Sequence, residues 1–283
     1  MFEKLSAQDV ANEISMLRPV FKGTFLVVEG VTDARFYGKF ADREGVRTGI
    51  AYSKDNVRRV VTEARSRGDR AILGIVDPDL ERLEGKKCLP PLFMTDNRDL
   101  ESMIMKSKAL EDVLAEYADP VLMKKFESEN GCIREAIFKA AYPIGLLMFI
   151  SKRDGLGLCF KDLNHRAFID DRTLRIDVRR MMDAVFGISY NARASRKSLT
   201  DSIQAEEELL VDPWDAVRGH DAVAVLVIGM GVFGAYNSRG LGDGQLSGAL
   251  RLAFSADDFR DTDLYRDSDA WSGRTGNVLW LKP

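Results

Sequence analysis

The sequence predicts an α/β fold, with a mostly parallel sheet of about four strands flanked by helices and then a helix-rich region carrying a small hairpin. Three observations point there. Residues 25–28 and 71–76 are short, nearly unbroken runs of Val, Leu, Ile and Phe, the length and composition of strands buried on both faces. Between them Val57, Val60, Val61 and Ala64 repeat at helical spacing, giving a strand–helix–strand unit. Both apolar runs stop abruptly in acid, the first at Glu29 and the second at Asp77-Pro78-Asp79. In open parallel sheets, ligands bind outside the carboxyl ends of the strands, so those acids mark the candidate site.

The elements follow in chain order. Ser6 with Asp9 three residues on has capping-box spacing, and Val10, Ile14 and Leu17 share one face of the helix that follows. Residues 25–28 form the first strand, and residues 32–40 a helix in which Phe36 and Tyr37 pack on the sheet. Residues 48–52 are the second strand. It ends just before Lys54, a position open to two readings: a cation placed to stabilise phosphoryl charge, or a solvent lysine ahead of a helix cap. Residues 71–76 are the third strand, and Pro78 cannot continue a sheet ladder, so Asp77 and Asp79 are held where the strand stops. Residues 82–91 are a loop, residues 92–94 a short fourth strand, and residues 99–117 one helix with Leu100, Met103, Ile104, Leu110, Val113 and Leu114 inward. Glu101 falls in its first turn, where the helix dipole favours a carboxylate.

Composition bounds the function. Hydrophobic content of 45% and charged content of 30% are those of an ordinary globular chain. A net charge of −3 argues against a generally basic nucleic-acid binder. Cys88, Cys132 and Cys159 have neither zinc nor disulfide spacing, which suits a reducing compartment. The N-terminus lacks a signal-peptide layout and the longest apolar run is too short to span a bilayer, so a cytoplasmic location is expected. Residues 172–197 hold seven Lys or Arg against Asp177 and Asp183, either a solvated helix or a phosphate-tracking face.

Three carboxylates at one sheet edge repel unless a cation sits between them, and a hard divalent ion with oxygen ligands is the usual occupant. Glu29-Gly30 after one strand, Asp77-Pro78-Asp79 after a later one, and then Arg98-Asp99-Leu100-Glu101 resemble the TOPRIM domain, in the nuclease branch related to the overcoming-lysogenisation-defect family. More narrowly, the pattern is similar to the stand-alone TOPRIM effectors of bacterial anti-phage systems, the AriB type of the PARIS system among them. The likeness is specific over residues 20–118 and loose beyond. It implies a Rossmann-like catalytic core over residues 1–120 and a helix-rich domain over 121–283. It also implies a Mg2+- or Mn2+-dependent nuclease acting on RNA such as tRNA, or on DNA. Such an effector is restrained by a partner ATPase of the ABC type, and a homodimer is expected. On that likeness Glu29, Asp77 and Asp79 hold metal, and Glu29 also serves as base. Asp33 and Glu101 complete a second metal position, Glu81 either joins them or faces water, and Lys54 faces the scissile phosphate. The other reading is a non-catalytic TOPRIM module that binds or regulates within a larger complex. The extra domains of a topoisomerase or primase are not expected here.

Beyond residue 120 the pattern predicts helices over 121–153 with breaks at Gly131 and Pro143, a small hairpin within 157–176, a helix over 178–186, and an Asp212 cap followed by Pro213. Gly229, Gly231 and Gly234 match a dinucleotide fingerprint, but a loop follows where the fingerprint requires a helix, and the run fits a buried helix. His220 beside Asp221 offers an acid/base pair, but side chains adjacent in sequence need not meet, and a local structural role is the expected one.

Overall fold

The computed structural model describes residues 6–190, 192, 193, 199, 203 and 212–282. The described strands are β1 (Thr24–Val28), β2 (Val46–Ile50), β3 (Ile72–Val76) and β4 (Leu92–Met94). They form one open sheet in the order β2-β1-β3-β4, and every pairing is parallel. The predicted fold class is therefore the observed one. Among the described residues no helix is long and apolar enough to cross a membrane.

Two compact units make up the chain. One gathers Met1–Pro78, Lys86–Asp96 and Ala256–Pro283, and the other Asp79–Gly85 and Asn97–Ser255. These are not the consecutive halves expected on either side of residue 120. The C-terminal stretch returns to the first unit, where Asp42 N–H donates to Leu279 O at 2.9 Å and Leu281 N–H to Phe40 O at 2.7 Å. Short-range periodicity carries no signal for such a return.

In the first unit the helices α1 (Ala7–Leu17) and α3 (Lys54–Ser66) cover one sheet face. Val10, Ala11, Ile14, Val57, Val60, Val61 and Ala64 bury there against Phe25, Val27, Ile72 and Val76. Side chains alternate across a strand, so Leu26, Val28, Leu73 and Ile75 point the other way, and they are equally buried. An aromatic cluster belongs to this unit, with Phe40 stacked on Phe259 at 4.6 Å between centroids and Trp280 edge-on to Phe259 at 4.8 Å. Gly74 sits at the centre of β3. A Cβ there would lie 2.7 Å from Val57 Cγ1, 2.9 Å from Leu92 Cδ2 and 3.0 Å from Val61 Cγ2.

The second unit is helical. Its longest helix, Ile133–Arg153, runs unbroken through Pro143 and is buried at every position from Ala140 to Ser151. The expected break at Pro143 is thus absent. Tertiary burial of an all-round apolar helix outweighs the loss of one backbone donor. The single helix expected over 99–117 is two, α4 (Leu100–Lys106) and α5 (Ala109–Tyr117), because Ser107 is extended and its hydroxyl caps Ala109 N–H at 3.1 Å. The expected hairpin shrinks to one antiparallel bridge, Ile169 to Ile176. The Asp170 carboxylate accepts from the N–H groups of Arg172 and Thr173, closing a tight turn with no room for paired strands. The glycine fingerprint falls in and just after a continuous helix, Gly219–Phe233, which carries no strand-to-helix phosphate loop. Residues 172–197 contain the helix Val178–Gly187, and part of the stretch lies outside the described residues.

The crowding at Gly74 has no counterpart at Gly49, where an added Cβ meets only ordinary contacts at 3.8 and 3.9 Å. Gly74→Ala is expected to lower the urea midpoint, with a loss of about 1–3 kcal/mol from overpacking. Gly49→Ala should be neutral or stabilising by up to about 1 kcal/mol. Equal effects at the two positions would contradict this packing account.

Candidate functional site

The carboxyl edge of the sheet lies in the first unit. Glu29 follows β1 directly, and its Oε1 accepts the backbone N–H of Asp77 at 3.2 Å. Asp77 follows β3, the parallel neighbour of β1, so two acidic residues distant in sequence come into contact at adjacent strand ends. Thr95, just past β4 and wholly buried, donates its hydroxyl to Asp77 Oδ1 at 3.2 Å. Its own N–H donates to Val76 O at 3.2 Å. Three successive strands of the sheet therefore deliver Glu29, Asp77 and Thr95 to one place. Thr95 is absent from the sequence-based candidates because a lone threonine after a three-residue strand carries no motif.

Asp33 sits in the first turn of the helix α2 (Val31–Tyr37), with Oδ2 accepting Gly30 N–H at 2.8 Å as an N-terminal cap. Lys54 opens α3 behind the Ser53 cap. It belongs to the same edge by topology, since β2 pairs with β1 and Ala51 N–H donates to Val28 O at 2.9 Å. Asp96, next to Thr95, points its carboxylate elsewhere, accepting from Asp263 N–H and Leu264 N–H, each at 2.8 Å. It caps the C-terminal helix Asp263–Thr275 and ties it to the end of β4.

The remaining candidates fall in the second unit. Asp79 takes a left-handed conformation at φ 52°, and its N–H donates to Arg98 O at 2.9 Å. Glu81 lies in the turn that follows. Glu101 is ion-paired to Arg251 at 3.0 Å. Among the described residues no group of three or more Asp, Glu, His or Cys side chains is assembled to hold a metal ion. The donor chemistry at the sheet edge nonetheless suits a hard cation, because Glu29, Asp77 and Thr95 offer only oxygen.

Arg98, which is buried, and Asp99, which is half-buried, form the hub of the second unit. Arg98 donates to Ala216 O at 2.6 Å and approaches Met148 Sδ at 3.1 Å. Burial pulls its guanidinium down, against the pull of Asp99 and Asp221. Asp99 caps α4 through Ser102 N–H at 2.8 Å and accepts Gly219 N–H at 3.0 Å. Burial pushes its carboxyl above the usual range, and those hydrogen bonds and Arg98 oppose the shift only in part. Asp221 pairs not with adjacent His220 but with His165 at 2.8 Å and Arg218 at 2.6 Å. Burial pushes the Asp221 carboxyl up, but His165 and Arg218 outweigh it and hold it below the usual range.

Asp215 is a second carboxyl displaced upward by burial. Burial pushes it up to about 6, opposed by Arg82 at 3.6 Å and reinforced by Asp212, while Asn97 and Lys106 pull it down. Lys106 is itself paired to Asp212 at 2.6 Å.

No family model matches the chain, and no curated protein matches it. The class that fold and edge define is an open, all-parallel α/β protein in which the Glu29 carboxylate, at the end of one central strand, accepts the backbone N–H of Asp77 at the end of the next.

Because Asp215 protonates more readily folded than unfolded, the folded state binds more protons between pH of about 4 and 6. Its contribution therefore favours folding below that window and is lost as pH rises through it. Asp215→Asn should remove this slope. The stability difference between the two proteins is expected to shift by about 2 kcal/mol from pH 4 to 7, in favour of the variant at the higher pH. Parallel denaturant titrations across that range would show it, and a constant difference would count against the buried-carboxyl account.

Proposed function

We propose that the protein is a divalent-metal-dependent nuclease that hydrolyses phosphodiester bonds of nucleic acid at the carboxyl edge of its sheet. The observation that carries this reading is the meeting of Glu29 and Asp77 at neighbouring parallel strand ends, with Glu29 Oε1 3.2 Å from Asp77 N. It is supported by the resemblance of Glu29-Gly30, Asp77-Pro78-Asp79 and the Arg98–Glu101 block to TOPRIM nucleases. Hydrolysis adds water across a P–O bond, leaving a phosphate monoester and a free hydroxyl. A bound Mg2+ or Mn2+ supplies charge relief on the phosphoryl oxygens. Glu29 and Asp77 are the residues that would hold it, with Asp79 as the third carboxylate of the motif. Glu29 takes the proton of the attacking water, and Lys54 at the start of α3 offsets phosphoryl charge. The role of an anti-phage effector, held in check by a partner ATPase and acting on tRNA or DNA as a homodimer, rests on the resemblance alone.

A second reading, a non-catalytic binding or regulatory module, is favoured by two facts. No carboxylate trio is assembled among the described residues, and Glu101 is engaged by Arg251.

The two readings separate in one assay. Purified protein is incubated with tRNA, single-stranded DNA and plasmid in Mg2+, Mn2+ or EDTA. Glu29→Gln keeps an oxygen to accept the Asp77 N–H, so its melting temperature should stay close to that of the unaltered protein. Its metal-dependent cleavage, and that of Asp77→Ala, should fall by about 100-fold or more. Undiminished cutting by Glu29→Gln would remove Glu29 from the mechanism, and inertness of the unaltered protein on all three substrates would favour the module.

A further inference from the structure

The α1–α3 seam lies on the covered sheet face of the first unit and has a charge unlike the rest of the chain. Two open clefts lie end to end along it. One, of about 520 Å³, is lined by Arg58 and Arg59 together with Glu63 and residues at the start of α1. The other, of about 890 Å³, is lined by Arg18, Lys22, Arg67 and Arg70 with Asp69. Arg67 bridges the seam between them, donating to Asn12 Oδ1 and Ser15 Oγ of α1, each at 3.0 Å.

The acids lining the clefts do not balance the cations. Glu63 is taken by Arg67 at 2.9 Å and Asp69 by Arg18 at 2.7 Å. Arg58 lies 4.0 Å from Asp55. Arg59, Lys22 and Arg70 add further positive charge to the lining, in a chain whose net charge is −3. Lys22, Arg59, Arg67 and Arg70 are exposed. Among the described residues the rest of the lining is polar or small, such as Gln8, Thr62, Ala7, Pro19 and Ala64, with no aromatic or large aliphatic anchor of the kind a protein partner uses. Direction matters as well. α3 starts at Lys54 on the carboxylate edge and runs thirteen residues away from it, a length of about 20 Å.

We propose that the α1–α3 seam is a track for the phosphodiester backbone of a nucleic-acid strand, leading it to the edge where Glu29 and Asp77 meet. This deepens the nuclease reading and rests on it. The seam contacts phosphates rather than bases, so it accepts RNA and DNA alike and sets position without sequence preference.

The test measures binding to a labelled single-stranded RNA and the matching DNA, in EDTA, at two salt concentrations. The double variant Arg59→Glu/Arg70→Glu is compared with Lys124→Glu/Lys125→Glu, which makes the same charge change on a helix of the second unit. The seam variant should bind at least about tenfold more weakly, with a salt slope reduced by about 2, while the control stays within about twofold. Arg59→Gln/Arg70→Gln should fall between, which guards against a fold defect from charge reversal. Equal losses in seam and control variants, no loss in the seam variant, or no binding of either oligomer by the unaltered protein would each overturn the proposal. Cleavage with Mn2+ is scored separately. Seam-dependent binding without any cutting keeps the track and removes the nuclease, and cutting with seam-independent binding does the reverse.

Discussion

The close approach of α3 to β3 at Gly74 is the constraint on which the first unit depends. With hydrogen in place of a side chain, Val57 and Val61 lie directly on the centre of the sheet. That contact fixes the level of α3, and with it the position of Lys54 at one end and the arginines at the other. It also lets β1 and β3 pair in parallel at the register that sets Phe25 against Ile72 and Val27 against Gly74. Continued by two residues, this register sets Glu29 against Val76, and Asp77, one residue on, donates its N–H to Glu29 Oε1. A slip of one residue would turn every side chain of β3 to the opposite face.

The second unit is organised by a different principle. Its hub is polar: buried Arg98 and half-buried Asp99 are bonded to the backbone of Ala216, Ser102 and Gly219. Buried ionic groups add little net stability, but removing one partner leaves the other uncompensated, so such a hub punishes alternative packings. Gly219 is part of it, since a Cβ there would fall 2.5 Å from Asp99 Oδ1. The Arg-Asp-Leu-Glu wording that resembles a nuclease motif thus has a structural role in Arg98 and Asp99, and an ion pair in Glu101.

Legibility differed between fold and site for physical reasons. Strands buried on both faces announce themselves as apolar runs, and the helices between them by periodicity, because burial imposes both patterns locally. Val57, Val60, Val61 and Ala64 are all buried, as their spacing requires. The site is less local. Glu29 and Asp77 are visible as acids at strand ends, and the structure brings them together, but Thr95 enters through a short strand with no signal of its own. Asp221 finds His165, 56 residues away, rather than its neighbour His220. Asp215 draws its displaced carboxyl from burial beside Arg82 and Asp212. None of these partners is encoded by spacing.

What the sequence alone determined is the parallel sheet, the helix between its strands, and the acids that end β1 and β3, all consequences of short-range burial and turn chemistry. The tertiary structure decided the rest: the return of the C-terminal stretch to the first unit, the passage of one helix through Pro143, and the partner of each buried charge. Those outcomes depend on which distant surfaces desolvate together. A desolvated charge takes whichever counter-charge folding brings within reach, whatever its place in the chain.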